Sequence, residues 1–289
     1  MGAPMALRLL EAGIPLAVAD SSERAVQAFR ERDVATAATG AALAGDVVIA
    51  MLPTDVHVRE ALLGSGGALT QRSRTAVIDM SSSAPAATKA LAAELAVRGI
   101  AMLDAPVSGG KAGAIAGRLT TMVGGDAAVV ERYRALLGIM CASVQHVGGI
   151  GAGDTMKALN NFLSGVALWA TSEALVVGAR AGLDVPTMIR TWQTSTARNH
   201  TVEFKAPKSI VPRTFDAGFT MNLIAKDIGI AARLARELDV PAPMLAAAEE
   251  HWLTAKYALG ADADFTSVIT LIEQWAGFAL EPATMEDGK

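Results

Sequence analysis

The chain has 289 residues, of which 52% are hydrophobic and 19% charged, and its formal net charge at pH 7 is −4. This composition predicts a globular protein of about two domains and excludes a disordered chain. The absence of a long basic run argues against a nucleic-acid partner, and a single cysteine, Cys141, excludes an intramolecular disulfide and fits a reducing, cytoplasmic compartment.

The first half of the chain alternates short apolar runs with helical patterns. The runs are continuous rather than alternating, which is typical of strands buried on both faces. Strands are predicted at 16–19, 47–52, 75–80, 100–103, 119–123 and 143–147, and helices at 22–32, 55–63, 85–98 and 126–137. This alternation predicts a doubly wound, Rossmann-like α/β domain.

The second half shows helical patterns and no convincing strand. Helices are predicted at about 154–181, 186–194, 219–238, 242–258 and 266–277. We therefore predict a dinucleotide-binding domain over 1–150 and an all-α substrate and dimerisation domain over 151–289. The most apolar stretch, 158–172, is shorter than the ~20 residues that span a bilayer, so no membrane partner is expected.

The beginning of the chain has the features of an incomplete dinucleotide-binding unit. A helical stretch, Met1–Leu10, is followed by a strand that ends in Asp20, but the usual opening strand and the first two glycines of G-x-G-x-x-G are absent. Gly2 would be the last glycine of that motif. We expect a sheet without its first strand, and a functional start about ten residues upstream. The alternative is a genuine start at Met1.

A glycine-rich segment, Asp104–Gly125, carries the first candidate substrate site. Ser108, Gly109 and Gly110 follow a short apolar run that ends in Asp104. Backbone N–H groups unobstructed by side chains, together with the serine hydroxyl, can close around a carboxylate. The alternative is a plain turn between two strands.

A helix beginning near 154 carries the second candidate site. Lys157 and Asn161 are four residues apart and share a helix face, with Asn160 beside them. A lysine close to the start of a helix opposes the helix dipole, which lowers its proton affinity and suits proton transfer. The alternative is a solvated lysine on an ordinary helix.

Together these segments resemble the β-hydroxyacid dehydrogenase family, which includes 3-hydroxyisobutyrate dehydrogenase, tartronate semialdehyde reductase and 6-phosphogluconate dehydrogenase. Four further segments are similar to the family's motifs. Met1–Ala6 resembles the end of its G-x-G-x-M-G-x-P-M-A opening, and Lys226-Asp227 resembles its C-terminal Lys-Asp pair. Segments 51–53 and 79–82 resemble its cofactor segments, with Ser82 where threonine is usual.

The resemblance implies hydride exchange between a nicotinamide and a small β-hydroxyacid of the 3-hydroxyisobutyrate type, or its aldehyde acid. It implies that Lys157 is the general acid and base, and that Asn161 hydrogen-bonds the reacting oxygen with support from Asn160. Ser108, Gly109 and Gly110 would hold the substrate carboxylate. Asp227 would anchor the network around the substrate.

The resemblance also implies cofactor contacts. Asp20 would accept hydrogen bonds from the adenosine ribose and favour NAD, with NADP left open by Arg24 nearby. The other implied cofactor residues are Gly2, Leu52, Pro53, His57, Ser82 and Lys226.

Three points stay open or negative at this stage. The four histidines lack metal-ligand spacing, so no metal is expected. The alternatives are an imine reductase on the same fold, which usually lacks a lysine at position 157, and a non-catalytic NAD(P)-binding module. A homodimer or homotetramer is expected from the resemblance.

Overall fold

The computed structural model describes residues 1–70 and 75–285. It divides the chain into two compact units, Met1–Lys157 and Ala158–Lys289. The division falls a few residues after the predicted boundary at 150, because the long helix that opens the second half begins in the first unit.

The first unit contains two sheets. Its strands are β1 (Ala17–Ala19), β2 (Ala35–Ala37), β3 (Val47–Ala50), β4 (Ala76–Asp79), β5 (Ala101–Asp104), β6 (Val107–Ser108), β7 (Leu119–Gly124) and β8 (Cys141–Gly148). The larger sheet has the order β3-β4-β5-β7-β6, with β8 paired to β7. Strands β3, β4 and β5 are parallel, so their carboxyl ends lie on one edge of the sheet.

The helices of the first unit are α1 (Gly2–Glu11), α2 (Glu23–Arg30), α3 (Asp55–Leu63), α4 (Pro85–Val97), α5 (Gly110–Ile115) and α6 (Ala127–Met140). Helix α2 packs against the smaller sheet of β1 and β2, and the other five cover the two faces of the larger sheet. Neighbouring residues on β4 enter different cores because side chains alternate along a strand. Ile78 packs with residues of α1 and α6, whereas Val77 packs with residues of α3 and α4. This confirms the predicted Rossmann-like arrangement.

The first strand of a doubly wound unit is not present among the described residues. Strands β1 and β2 form a separate parallel pair that is not hydrogen-bonded to the larger sheet. In a doubly wound sheet the first strand occupies the centre, between the strands that correspond to β1 and β3. The division into two sheets follows from the lack of a strand at that place.

The second unit is helical. Its elements are α7 (Ala152–Arg180), which starts in the first unit, α8 (Val185–Gln193), a π-helix (Thr201–Ile210), α9 (Met221–Glu237), α10 (Pro243–Leu259), a 3-10 turn (Phe265–Ser267) and α11 (Val268–Ala276). The core is built around Trp252, which is fully buried and meets Trp169 edge to face with ring centroids 5.6 Å apart.

Helix α7 is longer than the apolar stretch in the sequence indicates. Its 29 residues include an 18-residue window of mean hydropathy 1.5, which is long and apolar enough to cross a membrane by those two criteria. The expectation that this segment falls short of a spanning length was therefore wrong. The core helix of a soluble protein meets the same two criteria, and buried polar side chains, including Lys157 and Asn161, interrupt the apolar character of this one.

Candidate active site

The predicted cofactor residues follow the ends of three strands in the first unit. Asp20 comes directly after β1, is exposed, and accepts a hydrogen bond from the Ser22 backbone N–H at 2.8 Å. Leu52 follows β3, and its N–H donates to the Ser81 hydroxyl beyond β4 at 2.9 Å. Ser82 is half-buried in the same loop. Residues after the carboxyl ends of parallel strands are where α/β sheets bind ligands.

Three other predicted cofactor residues, Pro53, His57 and Gly2, lie in the same unit. Pro53 is exposed, and His57 lies in the first turn of α3, where its Nδ1 is 2.6 Å from the Thr54 hydroxyl. Gly2 begins α1 against Met51. A Cβ added at Gly2 would lie 3.6 Å from the Met51 Cβ, an ordinary contact, so the packing here does not itself require glycine.

Ser108, Gly109 and Gly110 form the turn between β6 and α5. Gly109 has φ of +128° and Gly110 has φ of +64°, a backbone that other residues rarely adopt. A Cβ at Gly109 would also lie 3.1 Å from the Leu119 side chain. Both glycines are exposed and Ser108 is half-buried. The predicted carboxylate-binding turn therefore has a backbone conformation that favours glycine, and its two glycines are open to solvent.

Helix α7 is fixed at its first turn by a carboxylate from the sheet. Asp104, at the end of β5, is fully buried and accepts hydrogen bonds from the backbone N–H groups of Gly151 at 2.8 Å and of Asp154 at 2.9 Å. N–H groups at a helix start lack partners within the helix and attract negative charge. Lys157 follows on the next turn and is buried, with 8% exposure.

Asp154 belongs to a group of three buried acids, here named the carboxyl cluster: Asp79, Asp104 and Asp154. The Asp154 carboxyl accepts from the Ser83 N–H at 3.0 Å and from the Thr88 hydroxyl at 2.6 Å. Burial raises the pKa of Asp154 to about 8, with a smaller contribution from the charges of Asp104 and Asp79. Burial also raises the pKa of Asp104, against the effect of its backbone hydrogen bonds.

A second network lies in the second unit and joins four predicted residues. Asn160 donates to the Asn161 carbonyl oxygen at 3.0 Å, and Asn161 donates to Asp227 Oδ2 at 2.5 Å. Lys226 Nζ is 3.2 Å from the other oxygen, Asp227 Oδ1. Asn161 and Asp227 are both buried. Asp227 thus fixes the orientation of the Asn161 amide. The second N–H of that amide is held in a defined direction as a hydrogen-bond donor.

The sequence interpretation missed most of the carboxyl cluster and its partners. The sequence pattern marks Asp104 only as the end of an apolar run and position 154 only as the start of a helix. The available signal is that Asp79 and Asp104 each end a continuous apolar run, a place where α/β proteins put polar groups of a site. Among residues 1–70 and 75–285, no group of three or more His, Cys, Asp or Glu is arranged to hold a metal ion.

Comparison with protein families gives two matches that together cover most of the chain. A family described as the NAD-binding domain of 6-phosphogluconate dehydrogenase matches residues 1–148. A family described as "NAD-binding of NADP-dependent 3-hydroxyisobutyrate dehydrogenase" matches residues 151–272. Both parts therefore match families named for NAD(P) binding.

Characterised relatives match over nearly the same span. The 2-(hydroxymethyl)glutarate dehydrogenase of Eubacterium barkeri is 37% identical over 97% of this chain and 94% of its own length. The NAD-dependent L-serine dehydrogenase of Pseudomonas aeruginosa is 38% identical over 84% of this chain and 85% of its own.

Among solved structures, this chain is more similar to a hydroxyacid dehydrogenase than to an imine reductase. A 3-hydroxyisobutyrate dehydrogenase from Mycobacterium tuberculosis, solved with L-serine, superposes with a TM-score of 0.84 at 31% identity, over 94% of this chain and 95% of that one. An imine reductase from Streptomyces aurantiacus gives a TM-score of 0.59 at 20% identity, over 94% and 95% of the two chains. That lower identity shows a shared fold alone.

Proposed function

This chain belongs to the β-hydroxyacid dehydrogenase family and is an NAD(P)-dependent oxidoreductase that acts on CH–OH groups, and we propose that Lys157 carries its proton transfer. The observation that carries the proposal is a buried lysine on a helix whose first turn is held by a buried carboxylate. Such a lysine has a defined position and is shielded from bulk water, as a proton donor or acceptor requires.

The residues after the strand ends fit a dinucleotide. Asp20 presents an exposed carboxylate after β1, the chemistry that accepts hydrogen bonds from ribose hydroxyls, and Ser82 follows β4 on the edge where α/β sheets bind ligands. Leu52, Pro53 and His57 would lie along the adenosine side, with Gly2 and Lys226 as further contacts. The bound nicotinamide supplies hydride acceptance or donation.

The chain's own residues would do the rest. Ser108, Gly109 and Gly110 would hold the substrate carboxylate through the serine hydroxyl and backbone N–H groups. Lys157 would take the hydroxyl proton during oxidation and return it to the carbonyl oxygen during reduction. Asn161, oriented by Asp227, would donate to that same oxygen or its neighbour. A lysine base near neutrality needs a proton affinity below the ordinary lysine value.

The cofactor is proposed to be NAD rather than NADP. A carboxylate at Asp20 repels the additional phosphate on the ribose of NADP. The test compares kcat/KM for both cofactors in the wild type and in Asp20→Asn. We expect a preference for NAD that weakens in the variant. A wild-type preference for NADP would overturn the assignment.

The substrate is proposed to be a short β-hydroxyacid, in which a primary or secondary alcohol lies on the carbon next to the one that bears the carboxylate. The relatives are named for 2-(hydroxymethyl)glutarate, L-serine and 3-hydroxyisobutyrate, which share that arrangement. A panel of these three acids with NAD, followed by the absorbance of reduced nicotinamide, tests the proposal. Turnover of at least one acid is expected. Turnover of none, with reduction of a cyclic imine instead, would favour the imine reductase.

Self-association is proposed from the surface of the second unit. Leu163 on α7 is 66% exposed and Val177 on the same helix is 69% exposed, and large exposed side chains of this kind favour burial against another subunit. A homodimer or homotetramer in the cytoplasm is the proposed state. Light scattering should give a multiple of the 29.8 kDa chain mass, and Leu163→Glu should reduce it. A monomeric wild type would contradict this.

A further inference from the structure

The first turn of α7 is connected to two strand ends and to the start of α4. Asp104 at the end of β5 holds two N–H groups of this turn, and Asp154 within the turn reaches Ser83 and Thr88. Ser83 in turn donates from its hydroxyl to Asp79 at the end of β4, at 3.2 Å. Every link is a hydrogen bond between buried groups, where an unmade bond costs more than it does in water.

Close backbone packing fixes the same turn sterically. A Cβ added at Gly153 would lie 2.3 Å from the Met122 carbonyl oxygen and 2.6 Å from that of Asp104. A Cβ at Gly124 would lie 2.4 Å from Asp104 Oδ1. The turn therefore lies directly against β5 and β7, and it cannot slide or rotate without breaking the hydrogen bonds to Asp104. The position of Lys157, three residues beyond Asp154, is set by this packing.

Asp154 differs from an ordinary acid in a first helical turn. Its carboxyl faces Thr88 from α4, while Asp104 and Asp79 are close enough to influence its charge. On the side of α4, Lys89 packs against Gly151, where an added Cβ would lie 2.9 Å from the lysine Cε. Burial, with a smaller contribution from the charges of Asp104 and Asp79, favours the uncharged form of Asp154. An uncharged Asp154 retains the hydrogen bonds to Ser83 and Thr88 without placing a negative charge one turn from Lys157.

We propose that Asp154 is a positioning residue, which joins the first turn of α7 to Thr88 in α4 and to Ser83 in the segment before α4, and thereby holds Lys157 in its reactive place. The inference rests on the proposed role of Lys157. Asp154 makes no contact with substrate or cofactor in this account and acts only through the helix.

Three variants test the inference in the intact protein. Asp154→Ala removes the hydrogen bonds to both Ser83 and Thr88, and Thr88→Val removes one of them without altering α7. Asp154→Asn keeps the shape and imitates the uncharged acid. A displaced catalytic group lowers turnover by about 10–100-fold, and we expect a fall of this order in kcat for Asp154→Ala, with a smaller fall for Thr88→Val. The dissociation constant for NAD should not change.

The conservative variant separates positioning from mere stability. Asp154→Asn should retain most of the wild-type kcat at pH 7. At higher pH the wild-type acid ionises and favours a protonated ammonium nearby, so the rise of kcat/KM for hydroxyacid oxidation should occur at lower pH in Asp154→Asn than in the wild type. A purely structural residue would leave the pH profile in place.

Asp126→Ala is the matched control. Asp126 accepts from two N–H groups at the start of α6, a helix that does not carry Lys157. This control should alter stability without altering kcat or the pH profile. Normal kcat in folded Asp154→Ala and Thr88→Val, with an unchanged pH profile in Asp154→Asn, would overturn the inference. An inactive wild type would instead refute the proposed function.

Discussion

The pH dependence of stability in Asp154→Asn follows from the structure with a definite sign. The pKa of Asp154 is raised from 3.8 to about 8 by burial. A raised pKa means that the folded state keeps a proton that the unfolded state has lost. The contribution of this acid is therefore most favourable below its unfolded pKa and is lost as the pH rises through its folded pKa.

The magnitude comes from the interval between the two pKa values. Between pH 5 and pH 7 the unfolded carboxyl is ionised and the folded one is protonated, so the free energy of unfolding falls by about 1.4 kcal/mol for each pH unit. Over this interval the loss is on the order of 3 kcal/mol. For a unit of this size it corresponds to a fall in Tm of about 5–10 °C. Asparagine does not titrate and escapes this loss.

Thermal unfolding of both proteins at pH 5, 6 and 7 measures the effect as the Tm of the variant minus that of the wild type. We expect this difference to grow steadily with pH. Asp184→Asn is the control, because the pKa of Asp184 is lowered by its hydrogen bonds to Thr187 and its contribution changes only at more acidic pH. A difference that stays constant for Asp154→Asn would show an ionised Asp154 in the folded protein and refute the reasoning.

Two further predictions concern backbone packing at Gly153 and the partly buried ion pair of Arg213 with Glu273. Gly153→Ala should destabilise the protein by about 1–3 kcal/mol, because the added Cβ meets backbone oxygens that cannot move aside; Gly149→Ala, with open space around its Cβ, is the comparison in urea unfolding. Glu273→Ala should cost at most about 3 kcal/mol, since it leaves Arg213, whose side chain is 20% exposed, without the two-point pairing at 2.5 and 2.7 Å. Equal stability of Glu273→Ala and the wild type would show that the pair contributes nothing.

Long elements with strong patterns were predictable from the sequence. The continuous apolar runs predicted six strands, among them β3, β4 and β5. The helical periodicity of the second half predicted its all-helical character, because buried strands and amphipathic helices have distinct periods. Several short elements were missed, although the three-residue β1 was predicted. β2 has only three residues, and α5 contains two glycines, which weaken any helix pattern.

The π-helix Thr201–Ile210 was also missed, since Pro207 within it removes a backbone donor and disfavours helix in a sequence reading.

The candidate site was predictable to the extent that its chemistry is local. Lys157 and Asn161 are close in the sequence, so helix spacing alone placed them on one face. The contacts of Asn161 with Asp227 and of Asp154 with Thr88 join residues 66 positions apart, and no local pattern reveals such pairs. The cofactor and substrate assignments stay predictions that the proposed assays test.

The turnover of Lys157→Met, measured beside the wild type, is the most direct test of the proposed chemistry. Methionine keeps most of the length and the apolar character of the lysine stem but cannot carry a proton. With a hydroxyacid that the wild type oxidises, we expect kcat to fall by about 10²–10⁴-fold while NAD binding is unchanged. The exposed Lys208→Met is the control and should behave as the wild type does. A Lys157→Met enzyme that turns over at nearly the wild-type rate would contradict the account.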